Sequence, residues 1–441
     1  MIELYPFQRD HANKIYKSLR AHGVAKDASG TGTGKTVVAT AVAEHIDYPH
    51  IVVVCPKAVI APWLEWLDAS RYTSDQYDVV NYEMLRTGKL THIARRLPRV
   101  RKGAPDFFEW KIPPTSLVIF DEDHYCKGRD TLNGALMKGA RRTNSVLCLG
   151  ATSFTSPLEM DALGYTLGLH KGGKDYWRWA YDHGVRKGPF GMEFSGQRDH
   201  LEKISSDIFK DRGSLMRASD PEVAKFFNNN IVSADAYTVT EAEQIQRAYA
   251  TLASVGGLDE KMQYDAPNAL TESLRARQRV ELYKVPVFVN LAQDAIENGY
   301  SPVVFVNFRD TLEEIRSALV DGDCPVHQIH GGDTQTERDL AVKRFQEPGQ
   351  SAMLATISAG GVGISLHDTH GGFPRQSIVS PTYSATQFLQ ALGRIHRAGG
   401  KSPAVQKIVY AARTVEEKVC LSIKRKLRNL STLTNTDLQP L

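Results

Sequence analysis

The sequence has few cysteines and no long apolar run, and each scarcity excludes a class of protein. Its five cysteines are an odd number and include no Cys-x-x-Cys pair, so neither a disulfide framework nor a zinc site is expected. No apolar stretch approaches the roughly 18 to 20 residues that a membrane-spanning helix needs. The opening segment, MIELYPFQRD, lacks the basic and apolar regions of a secretion signal. We therefore expect a soluble intracellular protein without a membrane partner.

A large excess of one charge sign is also missing. The chain has 54 basic and 50 acidic residues, which gives a formal net charge of +4, too little to indicate nucleic-acid binding by itself. Positive charge is concentrated in two local clusters, each of which is equally compatible with an ordinary solvated surface. The first cluster is Arg95, Arg96, Arg99, Arg101 and Lys102, and the second is Lys424, Arg425, Lys426 and Arg428.

Short runs rich in β-branched residues alternate with helical patterns along most of the chain. This alternation predicts an α/β fold in which parallel sheets are covered by helices on both faces. A chain of 441 residues is long enough for two domains that each bury their own core. The clearest strand predictions are Ile51 to Val54, Leu117 to Phe120, Val146 to Leu149, Val303 to Val306, and Ile378 to Val379.

The predicted strands fall into two groups, separated by residues 180–280, where the alternation breaks down. We place the domain boundary near residue 228, because the triplet Asn228 to Asn230 favours neither helix nor strand. A capping box formed by Thr414 and Glu417 predicts a final amphipathic helix with a basic face. The predicted domains are residues 1–227, which include a helical insert near 158–227, and residues 228–441.

The stretch Ser29 to Thr36 has the composition of a loop that binds phosphate. Its glycines allow backbone N–H groups to converge on phosphate oxygens, while Lys35 supplies a cation and the Thr36 hydroxyl can ligate Mg²⁺. The strict pattern has Gly where this chain has Ser29, and a purely structural glycine-rich turn is the alternative. The predicted phosphate-binding residues are Gly30, Thr31, Gly32, Thr33, Gly34, Lys35 and Thr36.

Two carboxylates directly follow the predicted strand Leu117 to Phe120. Nucleotide hydrolysis at a phosphate loop needs one acidic group that holds Mg²⁺ and another that activates water. Asp121 is the predicted metal ligand, and Glu122 is the predicted general base. An acidic turn after a strand is common by itself, but its combination with Lys35 favours hydrolysis of a nucleoside triphosphate.

Gln390, Arg394 and Arg397 lie at spacings of four and three residues near the other end of the chain. On a continuous helix, this spacing places all three side chains on one face. Arginines so arranged can neutralise the transition-state charge on a γ-phosphate. Basic residues on a solvated helix are the alternative, and the presence of the two other sites argues against it.

Together these stretches resemble the motifs of the superfamily 2 helicases and translocases, and within them the Swi/Snf-like group. The resemblance covers nearly the whole chain, in the family's order. It implies two RecA-like lobes, with ATP in the cleft between them and Mg²⁺ as a second cofactor. Leu4 to Gln8 is similar to the adenine-reading Q motif, with Gln8 as its glutamine. Ser358 to Leu366 is similar to motif V, in which Gly363 is a further nucleotide-binding residue.

The resemblance also implies roles in nucleic-acid binding and in coupling. Val53 to Lys57, followed by Trp63, is similar to motif Ia, and Phe305 to Phe308 resembles motif IV. The implied DNA-binding residues are Lys57, Asn81, Tyr82, Phe308, Thr356 and Gly361. The residues implied to couple the ATP state to lobe motion are His124, Ala151 and Thr152.

Three departures from the family pattern concern the coupling motifs. Motif II reads Asp-Glu-Asp-His and ends at His124. In motif III, which is Leu149 to Thr152 with Leu158 and Glu159, Ala151-Thr152-Ser153 stands where Gly-Thr-Pro is usual. In motif V, Ser365 replaces a customary Asn. These departures affect coupling rather than the ATPase itself.

The predicted function is an ATP-dependent DNA helicase or translocase that acts on single-stranded, forked or branched intermediates of replication, recombination or repair. RNA is not excluded as the track. The compact chain is closer to small phage or bacterial DNA helicases than to nucleosome remodellers, so we expect it in the cytoplasm of a bacterium or a phage-infected host, and a monomer is compatible with this interpretation. The alternatives are a duplex translocase that does not separate strands and a nucleotide-switched subunit of a larger nucleic-acid assembly.

Strand separation needs a wedge, for which the sequence offers two aromatic clusters. Burial in a core is the more common role of such aromatic residues. The candidate clusters are Trp177, Trp179 and Tyr181, and Phe107, Phe108 and Trp110.

Overall fold

Each of the two groups of β-branched runs forms its own parallel sheet. The structure, a computed structural model, describes residues 2–99, 101–102, 105–151, 153–188, 191–237, 243, 267–320, 322–360, 363–382, 384–412, 416, 420–421 and 423–424. Contacts divide the chain into two compact units, and the division falls between Lys225 and Phe226. It lies two residues before the boundary that the sequence predicts at 228.

The first unit contains a parallel sheet with the strand order β10-β1-β7-β6-β2-β3. Its helices are α1 (Pro6–His22), α2 (Lys35–Ile46), α3 (Ile60–Asp68), α4 (Tyr82–Arg86), α5 (Leu132–Ala140), α6 (Asp161–Leu167), α7 (Gly173–Asp182), α8 (Arg198–Phe209) and α9 (Pro221–Ala224). Its strands are β1 (Val24–Asp27), β2 (Ile51–Cys55), β3 (Tyr77–Asn81), β4 (Ala94–Arg96), β5 (Phe108–Trp110), β6 (Leu117–Asp121), β7 (Ser145–Leu149), β8 (Val185–Gly188), β9 (Gly191–Phe194) and β10 (Gly213–Ser214).

The central strands of this sheet are buried on both faces. Every residue of β1, β2 and β6 is buried, which explains why the runs Ile51 to Val54 and Leu117 to Phe120 are continuously apolar rather than alternating. Strand β1 differs, because it also buries Lys26 and Asp27. Each fully buried Val, Ile or Leu side chain contributes about 1.5–3 kcal/mol to folding. Helix α1 begins with Pro6 at its first position, and its C-cap is Gly23, whose φ of 63° is left-handed. Strand β1 begins at the next residue.

Two antiparallel hairpins lie outside the main sheet. Strands β4 and β5 form one, and β8 and β9 form the other. The segment predicted as a helical insert contains α6 to α9, but it also contains the β8–β9 hairpin and β10. Because β10 pairs with β1, the end of this segment belongs to the sheet that carries the phosphate loop.

The second unit contains another parallel sheet, with the strand order β11-β16-β15-β12-β14-β13. Its strands are β11 (Asn230–Tyr237), β12 (Ser301–Val306), β13 (Val326–Ile329), β14 (Ala352–Thr356), β15 (Arg375–Val379) and β16 (Ala404–Ala411). Its helices are α10 (Pro267–Tyr283), α11 (Val285–Glu297), α12 (Arg309–Leu319), α13 (Gln335–Phe345), α14 (Ile357–Gly360) and α15 (Ala385–Leu392). Strand β11 begins at Asn230, so the last residue of the asparagine triplet is part of a strand.

The predicted α/β class is confirmed, and the two units are the two RecA-like lobes. All five of the strands that the sequence predicts most clearly are present. The predicted helix from Thr414 lies largely outside the described residues. Within the part of the chain that the structure describes, no helix is both long enough and apolar enough to cross a membrane.

Candidate active site

The phosphate loop joins β1 to α2 at the carboxyl edge of the first sheet. Gly32 and Gly34 have φ values of 79° and 89°, a left-handed conformation that favours glycine. Helix α2 begins at Lys35, so its positive N-terminal end faces the loop. The Lys35 ammonium donates hydrogen bonds to the carbonyl oxygens of Ser29 at 3.0 Å and Gly30 at 3.1 Å. The Lys35 ammonium therefore lies against the loop, while its contact with phosphate stays a prediction.

Gln8 is attached to the same loop. Its side chain is 3% exposed, its Oε1 accepts a hydrogen bond from the Tyr5 backbone N–H at 3.0 Å, and its Nε2 donates to the Thr33 carbonyl at 2.9 Å. A Cβ atom at Gly34 would collide with this amide. The glutamine predicted to read adenine is thus in direct contact with the phosphate loop.

Ser29, the departure from the strict loop pattern, lies in a buried polar network. Its N–H donates to Asp27 Oδ1 at 2.9 Å, and its Oγ accepts the Met216 N–H at 2.9 Å and lies 3.2 Å from His11 Nε2. His11 Nε2 is also 3.0 Å from Asp27 Oδ2, and its Nδ1 is 2.8 Å from Ser214 Oγ. Burial alone raises the pKa of Asp27, but the facing His11 and the hydrogen bonds outweigh burial and hold this pKa well below its usual range.

This network ties the start of the phosphate loop to the segment after β10. The Gly30 N–H also donates to the Met216 carbonyl at 3.0 Å, so the backbone pairing of β10 continues into the loop. A glycine at position 29 would lack the hydroxyl that binds Met216 and contacts His11. These contacts of the hydroxyl explain why Ser29 suits this position, where the strict loop pattern has Gly.

We expect Ser29→Ala to weaken ATP binding more than it affects turnover, because the loop loses its side-chain attachment to Met216 and His11. Each lost hydrogen bond is worth about 0.5–1.5 kcal/mol, so the KM for ATP should rise roughly tenfold while kcat changes little. Steady-state ATPase kinetics measure this split. Ser18→Ala is the matched control, since the buried Ser18 Oγ donates to the Val24 carbonyl at 2.6 Å, away from the loop. Equal KM values for both variants would contradict the prediction.

Asp121 ends β6 and is fixed from three sides. Its Oδ2 accepts the Trp63 indole N–H at 2.8 Å, its Oδ1 accepts the Glu122 N–H at 2.9 Å, and its carbonyl accepts the Tyr82 hydroxyl at 2.8 Å. Burial and the neighbouring Glu122 raise the pKa of Asp121 to about 6. The sequence names Trp63 only as the residue after motif Ia. Its role as a hydrogen-bond donor to the predicted metal ligand emerges from the structure.

Glu122 has a φ of 53°, a left-handed conformation that is costly for a residue with a side chain and is frequent at functional sites. Its Oε2 lies 3.2 Å from His124 Nδ1. Desolvation lowers the pKa of Lys35, whereas Asp27, Glu122 and Asp121 oppose that shift. Lys35, Asp121 and Glu122 are therefore close enough to interact electrostatically, while their common role in one site stays a prediction.

The oxygen donors here fit Mg²⁺, a hard cation that is commonly held by one or two carboxylates together with substrate phosphates. Asp121 offers a carboxylate and Thr36 a hydroxyl on the first turn of α2.

At limiting Mg²⁺, ATP hydrolysis should weaken as the pH falls through about 6. The raised pKa of Asp121 means that its carboxyl is protonated below about 6, and a protonated carboxyl has to lose its proton before it binds a cation. Below that pH, the apparent KM for Mg²⁺ should rise up to about tenfold per pH unit. Mg²⁺ titrations of ATPase activity across this range test the expectation. Trp63→Phe should move the midpoint to higher pH, because the ionised carboxylate loses a donor; a KM for Mg²⁺ that is independent of pH would contradict the assignment.

A buried ion pair connects motifs II and III to the strand before the loop. Lys26 Nζ lies 3.0 Å from Asp123 Oδ2 and donates to the Gly150 carbonyl at 2.7 Å. A Cβ atom at Gly150 would collide with Asp123, so motif III needs glycine here. His124 and the half-buried Ala151 lie next to these residues in the chain, while Thr152 falls outside the described residues. Their coupling role remains a prediction.

Gln390, Arg394 and Arg397 are brought together in the second unit, but not as the sequence predicts. Helix α15 ends at Leu392, so the prediction of one continuous helical face is wrong. Arg394 Nη1 and Arg397 Nη2 each donate to the Ile364 carbonyl at 3.0 Å, and Arg394 Nε donates to the Gln390 carbonyl at 3.0 Å. The arginines therefore converge on motif V through a turn, beside Gly363, whose φ is 76°.

The helix ends at Leu392, and the Arg394 side chain donates to the Gln390 carbonyl, one of the last carbonyl groups of the helix. The side-chain amide of Gln390 is buried, with an exposed fraction of 2%. Both arginines are nevertheless attached to the backbone of the predicted nucleotide-binding motif.

The predicted DNA-binding residues have different environments. Lys57 is exposed at the start of a turn after β2, and the Asn81 side chain caps α4 by accepting the Met84 N–H at 2.9 Å. Tyr82 and Thr356 are 5% and 4% exposed. For Tyr82, a direct side-chain contact with DNA is therefore not what the structure shows, because its ring is packed in the core and its hydroxyl binds the end of β6.

Phe308 follows β12, in a loop that is held by the buried Glu281 of α10. The Glu281 carboxylate accepts the backbone N–H groups of Asn307 at 2.8 Å and Phe308 at 3.0 Å, and it accepts the Asn307 side-chain amide at 2.7 Å. The sequence gives no signal for Glu281, which is 26 residues away in the chain. Gly361, the remaining predicted contact, lies outside the described residues.

Comparisons with known proteins identify the family of the chain. The family model of the helicase conserved C-terminal domain matches residues 284–399. The chain is 31% identical to the “Putative ATP-dependent RNA helicase L364” of Acanthamoeba polyphaga mimivirus, over 99% of this chain and 84% of that protein. It is 27% identical to the SNF2 domain-containing protein ENL1 of Oryza sativa subsp. japonica, over 31% of this chain and 14% of that protein.

Among solved structures, the chain is similar to the Hef helicase domain of Pyrococcus furiosus, with 14% sequence identity and a TM-score of 0.49, over 94% of this chain and 97% of that one. The extended match to the mimivirus protein establishes the family, and the helicase C-terminal domain and the Swi/Snf-type relative are consistent with it. The chain belongs to the superfamily 2 helicases, in the Swi/Snf-like group, whose members are ATP-dependent nucleic-acid motors.

Proposed function

We propose that this chain is a DNA-dependent ATPase that moves along DNA and unwinds or remodels forked or branched DNA. The observation that carries the proposal is the group of charged side chains at one edge of the first sheet. Lys35 lies across the phosphate loop, and Asp121 and Glu122 follow β6. A cation, a carboxylate that holds metal and a carboxylate that accepts a proton are the groups that hydrolysis of a nucleoside triphosphate requires.

The proposed roles follow from these positions. Thr36 and Asp121 would hold Mg²⁺, which neutralises phosphate charge when it is bound, and Glu122 would accept a proton from the attacking water. Gln8 would recognise the adenine while it stays in contact with the loop. Arg394 and Arg397 would supply positive charge to the phosphates during hydrolysis, and Gln390, whose amide is neutral, would act beside them. Each arginine would then have to weaken its hydrogen bond to the Ile364 carbonyl, which offers a switch within motif V.

The choice of DNA rests on the Swi/Snf-like form of motif V, from Ser358 to Leu366. RNA is the second candidate track, and it is favoured by the name of the mimivirus relative. Backbone-reading motors distinguish the two nucleic acids mainly through contacts to the 2′-hydroxyl. An experiment therefore has to compare both tracks directly.

The test is the ATPase rate of the purified protein with single-stranded, duplex, forked and four-way DNA, and with RNA of matched sequence. We expect stimulation by DNA, strongest with forked or four-way substrates. Stimulation by RNA alone would overturn the choice of track. Slow turnover that no nucleic acid stimulates would instead favour a nucleotide-switched subunit of a larger assembly.

Unwinding is a separate question, because half of the six candidate wedge aromatics are core residues. Phe108, Trp110 and Trp179 are buried, whereas Phe107 is 37% and Tyr181 50% exposed. A strand-displacement assay on forked DNA distinguishes a helicase from a translocase that leaves the duplex intact. Release of the displaced strand would support the helicase, and DNA-stimulated ATPase without release would support the duplex translocase.

A further inference from the structure

We propose that the β4–β5 hairpin with its flanking residues, 94–111, forms a second binding surface for the phosphate backbone of nucleic acid, apart from the candidate active site. We call these residues the basic hairpin. The inference deepens the proposed function and rests on it, since it concerns how a nucleic-acid motor holds its track. The motifs that resemble the helicase family do not include this segment.

The basic hairpin carries all of the net charge of the protein. It has six basic and two acidic residues, a net charge of +4, and the whole chain of 441 residues also has a net charge of +4. The rest of the chain is therefore neutral overall, so the hairpin is a concentrated positive region on an otherwise balanced protein. Such a region attracts polyanions and releases their counterions on binding.

The acidic residues of the hairpin do not cancel this charge, because each carboxylate is shared by two cations. Asp106 is paired with Arg96 at 2.5 Å and Arg99 at 2.7 Å. Glu109 is paired with Arg95 at 2.9 Å and Lys111 at 2.8 Å. Each of the two groups therefore keeps one positive charge.

The shared carboxylates also orient the arginines. The Asp106 side chain is only 5% exposed, while Arg96 and Arg99 are 41% and 47% exposed above it. The hydrogen bonds from Arg99, followed by those from Arg96, hold the pKa of Asp106 at about 2, so the carboxylate keeps its charge at any physiological pH. Guanidinium groups fixed in this way lose less rotamer entropy when they bind phosphate oxygens.

The hairpin is anchored to the core of the first unit. Ala94, Phe108 and Trp110 are buried, and the Trp110 indole N–H donates to the Leu136 carbonyl of α5 at 3.0 Å. Phe107 points the other way, is 37% exposed, and has the Arg142 guanidinium 5.0 Å from its ring centre. Arg95 and Arg96 thus lie on a strand that is packed against the core, and Arg99, in the connection between the strands, is held by its ion pair with Asp106.

Arg142 places this surface at the edge of the sheet opposite the phosphate loop. It lines a cavity of about 460 Å³ together with Gly23, just before β1, and Ser145, at the start of β7. The phosphate loop, by contrast, follows the end of β1. The cavity also contains Arg20 and Arg141, and its lining, as far as the structure describes it, includes no carboxylate. Positive charge therefore extends from the hairpin along this edge, which fits a phosphate backbone better than it fits a single small anion.

The test compares Arg95→Gln/Arg99→Gln with Lys14→Gln/Lys17→Gln. The first double variant leaves each hairpin carboxylate with one cation, Asp106 with Arg96 and Glu109 with Lys111, so no charge is orphaned. The second removes the same charge from exposed positions on α1. Binding of fluorescent duplex DNA, single-stranded DNA and RNA is measured by anisotropy over a series of salt concentrations.

We expect the hairpin variant to bind roughly tenfold more weakly at low salt and to lower the slope of log affinity against log salt by about 2, one unit for each lost phosphate contact. The α1 variant should keep the native slope. ATPase activity without nucleic acid should be unchanged in both variants.

Equal slopes for the hairpin variant, the α1 variant and the native protein would overturn the proposal, and an acidic protein surface would then be the better partner. A native protein that binds no nucleic acid would overturn the proposed function as well. A native protein that binds DNA with a slope that only the hairpin variant reduces would support both. The failure of the surface and the failure of the motor are thus distinguishable in one experiment.

Discussion

Replacing Lys35 with alanine should reduce ATP hydrolysis by about 100-fold or more, the scale at which loss of one group that stabilises transition-state charge acts. The Lys35 ammonium lies over the carbonyl groups of Ser29 and Gly30, and no other lysine belongs to the loop. ATPase rates with and without DNA, together with the binding of a fluorescent ATP analogue, measure the change. Binding should weaken too, because the ground-state phosphates also lose the cation.

Lys14→Ala removes the same charge from an exposed position on α1 and serves as the control. Thermal unfolding of both variants is measured alongside, so that a loss of catalysis is separated from a loss of folded protein. A Lys35→Ala protein that hydrolyses ATP at the native rate would disprove the site assignment, whatever the nucleic-acid track proves to be.

The sequence predicts the elements of this site better than the contacts among them. Strand β6 and the carboxylates after it follow from a continuous apolar run and its polar end, which are local signals. The hydrogen bond from Trp63 to Asp121 spans 58 residues, and that from Met216 to Ser29 spans 187. Neither pairing has a local pattern, because each depends on which strands become neighbours in the folded sheet.

The group of Gln390, Arg394 and Arg397 is the opposite case, because its members come together although the predicted helix does not continue. The spacing of Gln390, Arg394 and Arg397 predicts a helical face, but the helix ends at Leu392, before either arginine. The three residues still come together, since the arginine side chains bond back to the carbonyls of Gln390, Gly393 and Ile364. The sequence thus identifies the functional group correctly while the backbone conformation differs from the prediction.

Two buried polar networks hold residues of the phosphate loop and of motifs II and III. Ser29 takes part in the bonds among His11, Asp27 and Met216. Asp123, the third residue of motif II, is neutralised by Lys26, which also binds Gly150 of motif III. Burial raises the pKa of Asp123, and Lys26 opposes that shift. Removing Lys26 or Asp123 would leave the other ion buried without its partner, at a cost of several kcal/mol. Substitutions at the two positions are therefore expected to occur together.

Replacing Glu122 with glutamine should lower kcat by about 100- to 10,000-fold, the range for loss of a general base, while ATP still binds. Glutamine keeps the length and shape of the side chain at this left-handed position, but it cannot accept the proton of the attacking water. Single-turnover hydrolysis and binding of the fluorescent ATP analogue separate the two steps. Glu202→Gln is the control, because it makes the same change to a carboxylate on α8, which is distant from Glu122 in the sequence.

The same variant has a second, independent signature. Glu122 is one of the causes that raise the pKa of Asp121, so removing its charge should lower that pKa and move the pH midpoint of Mg²⁺ dependence below about 6. A residue that only supports the fold would reduce activity without moving this midpoint. A Glu122→Gln protein with reduced kcat and an unmoved midpoint would therefore contradict the electrostatic coupling, and one with native kcat would contradict the assignment of Glu122 as the base.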